Sequence, residues 1–216
     1  MNKKIRVLGV SGSPIKDGNT EILLQRALEF AGSLDGVTTD MVSLAEKKIE
    51  DCKHCNWCLA KQKEGKPCLI EDDMREIYPL VLEADAFLLA SPVYIARLSG
   101  YMAAFIDRLR PFAHGNYYKD RLEDKVGGAL CVAWVRHGGL ETALLSIIYG
   151  FMSFHMIPVG TSRYCAFGAP ALSSRDGMGE FNKDQRHGVL EDEFGLMAME
   201  SLVERLVRVT RKIKKD

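Results

Sequence analysis

The sequence predicts an α/β protein: a doubly wound five-stranded parallel sheet with helices on both faces and a cysteine-rich insert. Three observations carry that expectation. Short aliphatic runs alternate along the chain with longer stretches whose apolar residues recur at helical spacing. The runs are apolar on both faces, as strands covered by helices on each side must be. Finally, 216 residues with 47% hydrophobic and 27% charged side chains can bury one large core without a staple. No repeat, low-complexity tract or linker divides the chain, so residues 1–216 are expected to form a single domain.

Residues 5–10 (IRVLGV) make the first strand, a run ending at Ser11-Gly12-Ser13-Pro14. A helix begins at Asn19-Thr20, with Ile22, Leu23, Leu24, Ala27, Leu28 and Ala31 as its apolar set. Residues 38–44 are the second strand, followed by the insert at 50–70. Asp72 and Asp73 open a helix to about residue 84, their charges suiting its positive end. Residues 86–90 (AFLLA) form a wholly apolar third strand, and 99–110 a helix stopped by Pro111. Residues 125–134 are the fourth strand, with Cys131 in its core; 141–155 are a helix, 156–160 the fifth strand and about 190–214 a long last helix. A second irregular stretch, 163–189, is long enough for a lid or an arm contacting a neighbouring subunit. Five such strands suit a flavodoxin-like order, in which ligands bind beyond the carboxyl ends of the strands.

Charge and hydropathy exclude several functions. Lys+Arg and Asp+Glu each number 29, so the net charge is zero and gives no support to nucleic-acid binding, which needs a basic surface. The basic tail at 205–215 reads as the solvated end of the last helix. No apolar run approaches the roughly 18 residues of a membrane span, and residues 5–10 are too short a run for a signal peptide. A cytoplasmic location is expected, with cysteines reduced unless they bind metal.

The first strand joins the first helix through SGSPIKDGNT, residues 11–20. Backbone N–H groups at a helix start, supplemented by hydroxyls, make an anion site. The loop lacks the Gly-Lys-Ser/Thr of a P-loop and the Gly-x-Gly-x-x-Gly of a dinucleotide fold. With Lys16 as its one cation, it suits a monophosphate. Gly-Ser-Pro-x-x-x-Gly-Asn-Thr here, Ser91-Pro92-Val93-Tyr94 after the third strand, and the stretch from Gly100 through Asp107-Arg108 together resemble the NADPH-dependent FMN reductase family of flavodoxin-like proteins, over about residues 5–160. The resemblance implies that Ser11, Ser13, Asn19 and Thr20 hold an FMN phosphate, with Lys16 nearby, and that Pro92, Val93, Tyr94 and Ile95 flank the isoalloxazine ring. Beyond the fourth strand, Trp134 and the pair Gly138-Gly139 would stand where the backbone must approach the ring closely.

Cys52-x2-Cys55-x2-Cys58-x9-Cys68 places four of the six cysteines in the insert. Four such thiolates can wrap one soft metal centre, and the three-residue spacing is similar to the bacterial ferredoxin run. A [4Fe–4S] cluster is the first reading; zinc and no metal are the alternatives. Among flavodoxin-like reductases the insert resembles the iron–sulfur flavoproteins, although their fourth cysteine lies closer. Lys53, Lys61, Lys63 and Lys66 are expected to offset the cluster's charge, and the insert to lie near the cofactor at the carboxyl end of the sheet. The resemblance implies an oxidoreductase taking electrons from NAD(P)H or a ferredoxin-like donor to a small acceptor such as a quinone or flavin, assembled as a homodimer or homotetramer. The rival readings are an electron-transfer flavoprotein without substrate chemistry, an FMN reductase with no cluster, and a zinc-stabilised binding module.

Overall fold

The structure is a computed structural model that describes residues 4–180, 183–184 and 186–214. In chain order its strands are β1 (Ile5–Ser11), β2 (Val37–Ser43), β3 (Ala86–Tyr94), β4 (Arg97–Leu98), β5 (Val126–Ala133), β6 (Ile157–Val159) and β7 (Ala169–Leu172). Its helices are α1 (Asn19–Ser33), α2 (Trp57–Ala60), α3 (Met74–Glu83), α4 (Gly100–Asp107), α5 (Arg110–His114), α6 (Leu140–Ser153) and α7 (Glu193–Ile213). The sheet runs β2-β1-β3-β5-β6, every pair parallel, which is the expected doubly wound order.

The two faces of the sheet are sealed separately. On one, Phe87, Leu89 and Ala129 pack against Met102, Phe105, Phe112 and Phe151 from α4, α5 and α6. On the other, Val7, Leu88 and Leu130 pack against Leu23 and Leu24 of α1 and Leu202 and Leu206 of α7. Strands lined with apolar residues on both sides can be satisfied only in this way. Among the described residues no helix is long and apolar enough to cross a membrane.

Four expectations need correction. Residues 163–189 are not irregular throughout. Ala169–Leu172 is a strand, β7, beside Leu130–Ala133, completing the edge position that β6 begins beside Val126–Gly128. Ala169 and Ala171 are buried there, in a segment too short and too rich in glycine and proline to show a strand period. Residues 99–110 form two helices rather than one, and Pro111 sits in the first turn of α5 instead of ending α4; a first-turn proline lacks only an N–H that has no helical partner anyway. The third strand continues past residue 90 to Tyr94 and turns back as β4, Val93 pairing with Leu98. Asp73, although at the N-cap of α3, makes no side-chain cap; its carboxylate accepts from Lys48 N at 2.7 Å instead.

Candidate functional site

The carboxyl ends of β1, β3 and β5 open into a cleft of about 300 Å³. Ser13, Asn19 and Thr20 line one side; Pro92, Val93, Tyr94 and Trp134 line the other. The structure thus gathers seven of the residues singled out from the sequence. Ser13 shapes the loop: its Oγ accepts from Ile15 N and donates to Ile15 O, both at 3.0 Å. Ser11 is fully buried at the strand end and holds the loop from beneath, its Oγ accepting from Ser13 N at 3.4 Å. Gly18 occupies the N-cap of α1 and offers no side chain to cap it, while the first-turn Glu21 carboxylate reaches back to accept from Asp17 N at 2.9 Å. The first-turn amides of α1 therefore have no N-cap side chain over them, and Glu21 already places a carboxylate at the helix's positive end.

Lys16 reaches out to Glu46, 3.6 Å away, and both are largely exposed. Asn19 is spent in part on the chain itself: its Oδ1 accepts from Val189 N at 3.0 Å and its Nδ2 donates to Arg186 O at 3.3 Å. His187 adds a contact to Asp17 O at 2.9 Å. This folds residues 186–189 over the 11–20 loop and brings Arg186 and Ser173 to the cleft wall, two residues the sequence reading missed. Arg186 lies 167 positions from Asn19, in a stretch with no period to place it. Trp134 is half exposed, with its Nε1 donating to Glu180 O.

Ile95 and Ala96 form the tip of the β3–β4 hairpin, both left-handed at φ 49° and 57°. Two such residues make the turn whose twist matches a two-residue hairpin, at a strain cost for a β-branched residue. Gly138 donates to Val135 O at 2.9 Å within a turn. Gly139 is left-handed at φ 106°, and a Cβ there would lie 2.4 Å from Ala96 Cα. The backbone that Gly139 admits is therefore the hairpin tip. Gly139→Ala is expected to destabilise the fold by about 1–3 kcal/mol, from strain and overpacking, and to shift the hairpin beside the cleft. Chemical denaturation reads the first effect. An unchanged midpoint would show that the contact yields without cost.

Cys52, Cys55, Cys58 and Cys68 all line a second, smaller cavity of about 20 Å³, together with Trp57, Arg108 and Arg110. His54 and Asn56, left-handed at φ 48° and 57°, curl the backbone on either side of Cys55 so that three cysteines border one hollow. Cys58 is buried, Cys52 and Cys68 half-buried and Cys55 exposed; all six cysteines of the chain are thiols. Burial pushes the Cys58 thiol up, opposed by the nearby Arg110 cation. The sulfurs border a common space without converging: among the described residues no group of three or more His, Cys, Asp or Glu side chains is gathered closely enough to hold a metal ion.

Gln62 pins the insert. Its buried Oε1 accepts from Tyr117 N and Tyr118 N, and its Nε2 donates to Pro67 O and Pro111 O. The lysines differ in what they do. Lys53 pairs with Glu50, while Lys66 lies over the Trp57 ring, 5.7 Å from its centroid. The buried cation at the hollow is Arg108, 1% exposed. Its Nη1 and Nη2 donate to the Asp72 carboxylate and Nη1 also to Glu50 O; its Nε is buried with no partner.

One helix links the two sites. Ser99 caps α4, accepting from Met102 N at 3.1 Å, and its Oγ donates to Gly12 O at 2.6 Å, so α4 starts at the first loop. The cysteine hollow lies at its other end, against Asp107 and Arg108. Eight residues at 1.5 Å each set the span at about 12 Å. The insert therefore leaves the carboxyl end of β2 as expected, but its cysteines sit a helix length from the cleft.

Residues 5–168 match the family described as NADPH-dependent FMN reductase. Over 211 residues the chain is 36% identical to an iron-sulfur flavoprotein of Methanocaldococcus jannaschii, covering 98% of this chain and all of that protein. It is 34% identical to an iron-sulfur flavoprotein of Archaeoglobus fulgidus, covering 96% of this chain and 98% of the relative. Among solved structures, RosB with its bound intermediate superposes with a TM-score of 0.73 at 15% identity, over 98% of this chain and 81% of that one. The apo form of an NADH:FMN oxidoreductase gives 0.65 at 15% identity, over 97% and 90%. At these identities the superpositions establish the shared fold.

Proposed function

The chain belongs to the NADPH-dependent FMN reductase family, and from that premise we propose that it is an FMN-dependent oxidoreductase of the iron-sulfur flavoprotein type, moving electrons from NAD(P)H or a ferredoxin-like carrier to a small acceptor such as a quinone or flavin. The observation that carries this reading is the cleft: an uncapped helix start with buried hydroxyls faces a wall of Pro92, Val93, Tyr94 and Trp134. Those residues fit a flavin mononucleotide. A phosphate matches the positive end of α1, an aromatic ring system matches the wall, and about 300 Å³ lies at the lower end of ligand pockets.

When bound, FMN accepts electrons in pairs or singly, and an iron–sulfur cluster passes them singly. The chain's own residues do the rest. Ser13, Thr20 and the first-turn amides of α1 would hold the phosphate; Tyr94 and Trp134 would cover the ring and exclude water. Cys52, Cys55, Cys58 and Cys68 would hold the cluster by their thiol chemistry and spacing; the hollow they border, about 20 Å³, does not itself fit one. A second reading, a reductase without a cluster, is favoured by sulfurs that do not converge. Self-association belongs to the proposal too: Tyr149 and Met152 are exposed on α6, Tyr149 beside a groove of about 480 Å³.

Anaerobic purification followed by a visible spectrum and FMN, iron and sulfide analysis tests the proposal. Stoichiometric FMN with equal amounts of iron and acid-labile sulfide is expected. FMN without iron, even after reconstitution, leaves the cluster-free reductase. Absence of flavin overturns both readings.

A further inference from the structure

The start of α1 holds more negative charge than a phosphate site tolerates unaided. Asp17 lines the cleft, and the Glu21 carboxylate, 5% exposed, accepts from Asp17 N at 2.9 Å. Lys16, the cation of the loop itself, pairs with Glu46. A phosphate monoester carries about two negative charges at neutral pH and binds where donors and cations offset them. Among the described residues that line the cleft, Arg186 is the one cation. The backbone that presents it is fixed on two sides. Asn19 Nδ2 donates to Arg186 O at 3.3 Å and Asn19 Oδ1 accepts from Val189 N at 3.0 Å. His187 Nε2 donates to Asp17 O at 2.9 Å, since a carbonyl only accepts. Gly188 and Val189 are buried, and a Cβ on Gly188 would stand 2.3 Å from Ser173 O. Residues 186–189 are thus a strap tied to the 11–20 loop on one side and to the end of β7 on the other.

We propose that Arg186 supplies the counter-charge of a phosphate-monoester site at the start of α1, and that Asn19 is a positioning residue, holding the strap 186–189 so that Arg186 meets the phosphate. The inference rests on the FMN reading given above and adds to it a residue 167 positions from Asn19. An arginine suits the task, because its planar fork matches phosphate oxygens in pairs. Both ends of the Asn19 amide are engaged by the strap, so its effect on a phosphate passes through Arg186. Two phosphate monoesters bring this chemistry to the cleft, the 5′-phosphate of FMN and the 2′-phosphate of NADPH, and the test separates them.

The flavin-depleted full chain, as wild type and as Arg186→Gln, Asn19→Ala and the double variant, is titrated by fluorescence with FMN and with riboflavin. In Arg186→Gln, FMN affinity is expected to fall about tenfold to a hundredfold, the worth of one charge-assisted hydrogen bond, while riboflavin affinity is unchanged. Asn19→Ala should lose most of the same preference for FMN, and the double variant no more than Arg186→Gln alone, because residues acting as one unit do not add. Additive losses overturn the positioning role and place Asn19 on the phosphate itself. A merely structural strap predicts equal weakening of the two flavins, and that result overturns the inference. Flavin-loaded wild type and Arg186→Gln are then titrated with NADPH and NADH. A loss confined to NADPH, with FMN affinity intact, supports the Arg186 site with the donor's 2′-phosphate as its source. Arg186→Gln that alters neither preference overturns the proposal. Wild-type protein that binds no flavin overturns the FMN reading itself, a result seen before any variant is made.

Discussion

Ser13→Asp is expected to lower FMN affinity at least a hundredfold while leaving riboflavin affinity nearly unchanged. The substitution is chosen for what it preserves. Ser13 holds the loop by accepting from Ile15 N at 3.0 Å, and an Asp carboxylate makes the same local turn. The backbone should therefore stay in place while a negative charge is added to a residue only 3% exposed in the native loop. Two unit charges about 4 Å apart at an effective dielectric of 20 repel by about 4 kcal/mol, which is close to a thousandfold. Ser13→Ala and Thr20→Val serve as controls that remove one hydroxyl each, worth about 1 kcal/mol. Fluorescence titration with the two flavins reads the result. Equal weakening of FMN and riboflavin would place the phosphate elsewhere, and unchanged FMN binding would remove the loop from the site.

The parts of this site legible in the sequence share a physical character. Ser11, Ser13, Asn19 and Thr20 occupy a fixed place because strand β1 and helix α1 are each recognisable from periodicity, and the loop between them can only lie at the carboxyl end of the sheet. The same logic places Pro92–Tyr94 and Trp134 at the ends of β3 and β5. Contacts between distant loops were not legible. Nothing near Asn19 announces that its side chain binds residues 186 and 189. Gly139 shows the limit from the other side. Close approach of its backbone was expected, and within the chain the neighbour it admits is Ala96, because hairpin β3–β4 left no sequence signal beyond Ser91-Pro92-Val93-Tyr94.

In the insert, the thiol spacing was plain and its electrostatics were not. Of the insert's lysines, Lys53 pairs with Glu50 and Lys66 lies over Trp57. The buried cation is Arg108, at the C-cap of α4 and some fifty residues away.

Removing the pairing of Asp72 with Arg108 is expected to produce the largest loss of stability. Asp72 and Arg108 side chains are each 1% exposed. The Asp72 carboxylate also accepts from Glu50 N at 2.9 Å and Met74 N at 3.2 Å, so it fastens the start of the insert, the start of α3 and the end of α4 together. Asp72→Asn keeps the shape and strands the guanidinium, a change that costs about 3–5 kcal/mol for a buried pair out of a total of roughly 5–15. The double variant Asp72→Leu with Arg108→Met should recover most of that loss. Acid behaviour gives an independent check. Burial works against ionisation of Asp72, but the Arg108 fork and two backbone donors outweigh it and hold the carboxyl below its ordinary value. A depressed native pKa means that the unfolded chain takes up the proton first. The contribution is thus complete above the ordinary carboxylate pKa, about 3.9, and disappears as pH falls through the lower native value. Urea unfolding at neutral pH and at successively lower pH should show the acid loss in wild type and a shallower one in the double variant. A loss under about 1 kcal/mol in Asp72→Asn, with an unchanged acid slope, would mean that the pair positions the insert without supporting the fold.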